Sequence, residues 1–242
     1  MTDFNRFFGG SPNISAVPMR PGNIGTFKPL LSEEDRLKLA SIASVRHYNA
    51  SDCLIHEDDE ATCLLNIASG VVKAFNFMPN GKKIIQGFFS ANDLIGFAEN
   101  GRYINTVKAI TPVTAFHLPI SALETLLRSN PNLHFYFLTK TIHELWLARQ
   151  HAIVLSQSSA KKRLLMLINL LKMHGESSEQ KTQQIHLPMS RADIANYAGL
   201  AIETVSRNLN QLNRQGIIRL VTPQCVELTD ENTFEAALLS EH

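Results

Sequence analysis

Between Ser190 and Gly216 the chain carries a residue pattern that permits few folds. Ser190 is suited to an N-cap, and Asp193 three positions on puts a carboxylate in the first turn, where the positive helix end favours it. Ile194, Ala195 and Ala198 form a short apolar face, and the small Ala195 lets a second helix cross closely. Gly199 follows, where a positive φ costs a glycine little and the chain can turn sharply. Leu200, Val205, Leu209 and Leu212 then recur at helical spacing and predict a second helix with one buried stripe. Glu203, Ser206, Arg207 and Asn210 fall on its other side. Such a pair is a helix-turn-helix whose second helix suits a DNA major groove.

The flanking residues extend the same module. Lys161, Lys162 and Arg163 open a preceding helix whose Leu164, Leu165, Leu167, Ile168 and Leu171 would supply a core. After Gly216, Ile217–Leu220 and Val226–Leu228 read as two short strands joined through Thr222 and Pro223. A helix-turn-helix followed by a hairpin is a winged helix.

The exposed groups have the chemistry to read bases. Arg207 can donate two parallel hydrogen bonds to guanine, Glu203 can accept from the exocyclic amine of cytosine, and Ser206 can approach a base edge or a thymine methyl. Ser190, Arg191, Thr204, Asn210 and Arg214 are the candidate phosphate contacts. A formal net charge of +1 says nothing about partners, but its distribution does. From Ser159 to Leu220 there are nine Lys or Arg against four acids, and from Val221 onward five acids and no Lys or Arg. The basic stretch coincides with the proposed reading head, as attraction to phosphate requires.

At 242 residues the chain is long enough for two domains. Residues 1–28 are rich in Gly, Pro, Asn and Ser and read as a flexible arm. Ser32 caps a helix running to Ala43. Short β-prone runs follow at Cys53–Ile55, Cys63–Ile67, Val71–Phe77, Ile84–Phe89 and Thr106–Leu118, with a hairpin at Pro79-Asn80-Gly81. They predict a small antiparallel roll over residues 29–129, closed by a short helix at Ser121–Ser129. Pro131 starts a long helix to about Gln157. In it Leu138, Thr141, Leu145, Ala148, Ala152 and Leu155 recur as an approximate heptad seam, so residues 130–157 read as a dimerisation helix. Phe135, Phe137, Ile142 and Trp146 lie off that line and are expected to cover the roll. Residues 158–242 form the winged helix-turn-helix, which itself calls for a dimer, because paired reading helices sit roughly 34 Å apart on successive turns of DNA. The fold class is α+β.

No charged-then-apolar export pattern and no apolar run of membrane-spanning length is found, which predicts a cytoplasmic protein without a membrane partner. Three widely spaced cysteines, Cys53, Cys63 and Cys225, make no disulfide framework. No phosphate loop, zinc-protease, Cys-x-x-Cys or nucleophile-elbow motif occurs, so an enzyme is not expected.

The run Ile202-Glu203-Thr204-Val205-Ser206-Arg207 resembles the FNR-type recognition motif Glu-x-x-Ser-Arg. With the winged helix and the roll it gives nearly the whole chain, most strongly from Ser159 to Leu228, a resemblance to the CRP/FNR family of bacterial transcription regulators. Ile202 stands where the CRP branch carries arginine, which points to the FNR/FixK branch. The resemblance implies a cyclic-nucleotide-binding-like β-roll and a homodimeric regulator, an activator in contact with RNA polymerase. It further implies a palindrome of TTGAT and ATCAA half-sites with a four-base spacer, and genes of low-oxygen respiration, denitrification or nitrogen fixation. The hairpin from Asn80 to Lys83 is one candidate polymerase patch.

The sensor is less legible. CRP-type members hold a cyclic nucleotide with a Gly-Glu for the ribose and an Arg followed by a small residue for the phosphate. Ala91–Phe97 lacks the Gly-Glu, no suitable Arg-Ser/Thr-Ala follows, and Glu99 and Arg102 are assigned to an exposed loop, so a cyclic nucleotide is not expected. A four-cysteine iron–sulfur cluster is not expected, because residues 1–28 hold no cysteine and Phe116 occupies the place of the roll ligand. Haem remains open, with His47, His56, His117, His134, His143 and His151 as ligand candidates, none in a distinctive motif. Cys225, beside the hairpin, is a candidate redox thiol. The alternative reading is a ligand-binding roll, sensing haem, nitric oxide or redox state, with a structural C-terminal domain.

Overall fold

A computed structural model describes residues 31–175 and 184–240; the arm expected over residues 1–28 lies outside them. The chain divides into two compact units, one of residues up to Asn76 with Gln86–Leu147, the other of Phe77–Ile85 with Ala148–His242.

In the first unit Ser32 caps α1 (Glu33–Ile42), its hydroxyl oxygen accepting from Asp35 N. The strands as far as residue 119, including the turn segment Phe77–Ile85 that groups with the other unit, are β1 (Ser44–Tyr48), β2 (Cys53–Ile55), β3 (Cys63–Ser69), β4 (Val72–Phe77), β5 (Lys83–Phe89), β6 (Leu94–Ile95), β7 (Ala98–Glu99), β8 (Arg102–Tyr103), β9 (Thr106–Ala109) and β10 (Val113–Pro119). They form a sheet ordered β1-β10-β3-β6, a second ordered β2-β9-β4-β5, and the small hairpin β7-β8. The β4–β5 turn closes as expected, with Gly81 N donating to Met78 O at 2.8 Å and Gly81 at φ 77°. The single run expected over Thr106–Leu118 is two strands. Pro112 cannot donate to a ladder, and the break it makes at Ile110–Pro112 sends β9 and β10 to different sheets.

Period-two alternation sets the core. Leu65 and Ile67 of β3, and Val113 and Ala115 of β10, face inward with Val72, Ala74 and Val107. The alternate residues Leu64 and Leu118 point to the other face, where Leu39, Leu123, Leu133, Tyr136 and Phe137 cover them. The last five come from α1, from α2 (Ile120–Ser129) and from the first turns of α3 (Pro131–Ser156). Phe137 thus covers the roll, and Ile142 and Trp146 are part-buried, but Phe135 is exposed. Phe135 sits one turn before Leu138, so it continues the outward stripe of the helix instead of the inward one.

The second unit contains α4 (Ala160–Gly175), β11 (Gln184–His186), α5 (Arg191–Ala198), α6 (Ile202–Arg214), β12 (Ile218–Thr222), β13 (Cys225–Leu228) and α7 (Glu231–Leu239). Strands β12 and β13 are the expected hairpin; β11, not foreseen, joins them in the order β11-β13-β12. Leu164, Leu165, Leu167 and Ile168 of α4 are buried as expected; Leu170 joins them, whereas Leu171 is only part-buried. Val205, Leu209 and Leu212 of α6 are almost wholly buried, each contributing about 1.5–3 kcal/mol by leaving water. The unforeseen α7 packs through Phe234, and Lys162 Nζ donates to Ser240 O at 3.0 Å just past its end.

Candidate nucleic-acid interface

The turn and the two helices around it follow from three local devices. Ser190 and Asp193 form a capping box: Ser190 Oγ accepts from Asp193 N at 3.1 Å, and Asp193 Oδ2 accepts from Ser190 N at 3.3 Å. Gly199 ends α5 in the left-handed conformation, φ 63° and ψ 41°. A Cβ there would lie 3.3 Å from Arg163 Nη1 and 3.4 Å from Leu155 Cδ2, so both the backbone and its surroundings favour glycine. Burial of Val205, Leu209 and Leu212 then fixes the rotation of α6 about its axis.

That rotation leaves Glu203, Arg207 and Asn210 exposed and Ser206 part-exposed, at i, i+4, i+7 and i+3 along one face. Glu203 and Arg207 stand one turn apart, yet neither is tied up in an ion pair or side-chain hydrogen bond among the described residues. Their donors and acceptors therefore remain available to an outside partner. Arg214, a further two turns along, is exposed as well. Thr204 is part-buried, and its carbonyl accepts from Asn208 Nδ2 at 2.8 Å.

Ser190 is exposed at the start of α5, beside Arg191. Arg191 is half-buried, and its Nη1 is shut away from solvent without a hydrogen-bond partner. Burial lowers its pKa, but a guanidinium keeps its proton, so the cation is left under-satisfied. A positive group in the first turn is also opposed by the helix dipole. An anion at this helix end would offset the second of these costs.

The end of α5 is held from outside. His151 Nε2 lies 2.8 Å from Tyr197 O, and the two rings stack with centroids 4.0 Å apart. Arg163 Nη1 donates to Ala198 O at 2.9 Å, while its Nε donates to Gln157 O at 2.8 Å. The sequence places His151 only among haem-ligand candidates and Arg163 only among the basic residues that open α4. The signal that finds them is the rule that the last carbonyls of a helix need donors.

The seam residues Leu138, Thr141, Leu145, Ala148, Ala152 and Leu155 are all exposed in the single chain, Leu138 at 54% and Leu145 at 51%. Cys225 is a half-buried free thiol on β13, its neighbour across the ladder being His186.

In the roll, Glu99 and Arg102 lie on the exposed β7–β8 hairpin, and Arg102 Nη1 donates to Asp58 O at 2.5 Å. Residues 91–97 contain no arginine. Of the six histidines considered as haem ligands, His47, His56 and His134 are exposed, His143 and His151 part-buried, and His117 buried. No group of three or more His, Cys, Asp or Glu able to hold a metal ion occurs among the described residues. Nor is any described helix long and apolar enough to cross a membrane.

Comparison with known proteins agrees with this architecture. Residues 162–237 match the Crp-like helix-turn-helix domain, and residues 45–130 match the cyclic nucleotide-binding domain. The nitrogen fixation regulation protein FixK of Bradyrhizobium diazoefficiens is 31% identical over 180 residues, 72% of this chain and 74% of that one. The transcriptional activatory protein AadR of Rhodopseudomonas palustris is 27% identical, covering 85% and 86%. In fold, the structure of FixK2 from Bradyrhizobium japonicum superposes with a TM-score of 0.75 at 24% identity, over 82% of this chain and 98% of that one. The chain belongs to the CRP/FNR family of DNA-binding transcription regulators and is not an enzyme.

Proposed function

We propose that this regulator works as a homodimer on a palindrome of TTGAT and ATCAA half-sites with a four-base spacer. One observation carries the reading: Glu203, Ser206, Arg207 and Asn210 form an outward stripe on α6 directly opposite a buried one. Arg207 is assigned to guanine, Glu203 to cytosine and Ser206 to a neighbouring base edge. Ser190, Arg191, Thr204, Asn210 and Arg214 are assigned to phosphate, Ser190 and Arg191 standing at the N-terminus of α5. Phosphate contacts supply affinity and register, and the base contacts supply the choice of sequence.

The six exposed seam residues of α3 support the homodimer, since Leu138, Leu145 and Leu155 would leave water together in a helix pair. In this reading residues 29–129 are the sensor-like roll, 130–157 the dimerisation helix and 158–242 the reading domain. The regulator acts in the cytoplasm as an activator touching RNA polymerase. Its targets are genes of low-oxygen respiration, denitrification or nitrogen fixation, an assignment that the FixK relative supports.

The test compares retention of the palindromic duplex with that of a scrambled duplex at one salt concentration, because phosphate attraction alone gives nonspecific binding. Selective retention of the palindrome, saturating at two chains per duplex, is the expected result. Equal retention of both duplexes removes the reading.

A further inference from the structure

The last turn of a helix leaves carbonyls without intrahelical donors. In α5 Ala195 O is served locally, accepting from Gly199 N and, at 2.9 Å, from Leu200 N. Tyr197 O, Ala198 O and Gly199 O are served by other helices. Tyr197 O is met by His151 Nε2 of α3 at 2.8 Å, and the imidazole lies nearly parallel to the Tyr197 ring, at 14°. Ala198 O and Gly199 O accept from Arg163 Nη1 of α4, at 2.9 and 3.4 Å. Arg163 also donates through Nε to Gln157 O, immediately past the end of α3. One planar guanidinium thus joins the end of α3 to the turn that aims α6, and a fixed fork of donors holds direction as well as distance. Burial lowers the pKa of His151, which keeps its ring neutral, with the Nε2 proton committed to Tyr197 O.

These contacts lie within a turn of the seam. His151 is flanked on α3 by Ala148, Ala152 and Leu155, and Leu155 Cδ2 comes within van der Waals range of the position a Cβ on Gly199 would take. Only Gly199, Leu200 and Ala201 separate α5 from α6. Any looseness at the end of α5 is therefore passed directly to the reading helix.

We infer that His151 and Arg163 are positioning residues that fix the distance and angle between the two α6 helices of the dimer, and so the spacer length that the regulator accepts. The inference rests on the homodimeric reading proposed above. Adding one base pair to a spacer shifts the second half-site by about 3.4 Å and turns it by about 35°, which a rigid pair of reading heads cannot follow.

The test uses the full chain and three duplexes, with four-base, three-base and five-base spacers, at one salt concentration. His151→Phe keeps the ring stack and loses the donor; Arg163→Met keeps the length and loses the fork. The wild type is expected to prefer the four-base spacer, and each variant to narrow that preference by about tenfold or more. Affinity for an isolated half-site and the dimeric state in sedimentation should stay unchanged; a merely destabilising lesion would lower the half-site affinity as well. Variants that keep the wild-type ratio overturn the inference and leave the dimer standing. If Arg163→Met fails to fold, His151→Phe decides alone. A wild type indifferent to spacer length removes the dimeric reading and this inference with it.

Discussion

Tyr48 Oη and His117 Nε2 share a hydrogen bond of 2.8 Å on the inner face of the roll. His117 is buried between strands, and burial, helped by the nearby Arg46 cation, pushes its pKa from the ordinary 6.5 down to about 4. The folded roll resists a proton that the unfolded chain accepts, so the contribution is complete above pH 6.5 and is lost as pH falls towards 4. His117→Gln, still able to bond Tyr48, should show a smaller drop in melting temperature between pH 7.5 and pH 4.5 than the wild type. Part of the drop should persist, because burial lowers the pKa of His151 in the same direction. Identical acid sensitivity in variant and wild type would count against this account.

Glu144 predicts the opposite slope. It stands one turn after Lys140 on α3, and Lys140 Nζ is already donating to Asn92 O at 2.8 Å. Burial first, and then the Asp93 carboxylate, push the Glu144 carboxyl from 4.5 up to about 8. The fold prefers the protonated acid, so its contribution is full below pH 4.5 and is lost as pH rises through 8. Glu144→Gln should melt higher than the wild type at pH 9 and nearly level with it at pH 5. Thermal melts across that range decide the matter.

Gly199→Ala should weaken the second unit. An alanine held at φ 63° costs about 1–2 kcal/mol, and its methyl group must also displace Arg163 Nη1 or Leu155. A fall in melting temperature on the order of 5 °C or more is expected for a domain of this size. An unchanged melt would mean that the turn relaxes without cost.

Leu145→Glu tests the seam. Leu145 is half exposed in the single chain, so the substitution should leave folding intact while placing two carboxylates across the axis of a helix pair. Sedimentation should then show a monomer with reduced affinity for the palindrome. A dimer that persists at micromolar concentration would move the interface elsewhere.

Arg207→Ala and Glu203→Ala test base readout. Both side chains are exposed and uncommitted, so circular dichroism and melting should match the wild type. Discrimination between cognate and scrambled duplex should fall by about 1–3 kcal/mol for each. Retained discrimination would exclude these residues as readers.

What the sequence disclosed and what it hid divide along physical lines. The capping box at Ser190 and Asp193, the left-handed Gly199 and the α6 stripe depend on residues within a turn of one another, so spacing alone reveals them. Strand β11 was hidden because three residues with a single buried Ile185 carry no periodicity, and its place is set by β13 forty residues on. Phe135 misled because aromatic character suggests burial, whereas its position on the helix puts it outward. His151 and Arg163 were invisible because they act on backbone carbonyls, which every residue possesses. For the seam and the base readers, position on a helix is as far as sequence goes; whether a second copy and a duplex meet them is decided by binding.

The bond from His151 to Tyr197 O also bears on how such regulators can be recombined. Exchanging DNA-binding ends between relatives at the natural-looking boundary after Ser156 would part the imidazole from the carbonyl it serves. A crossover that keeps the reading head well seated must fall inside the long helix, upstream of His151, so the heritable module is larger than the domain that its secondary structure outlines.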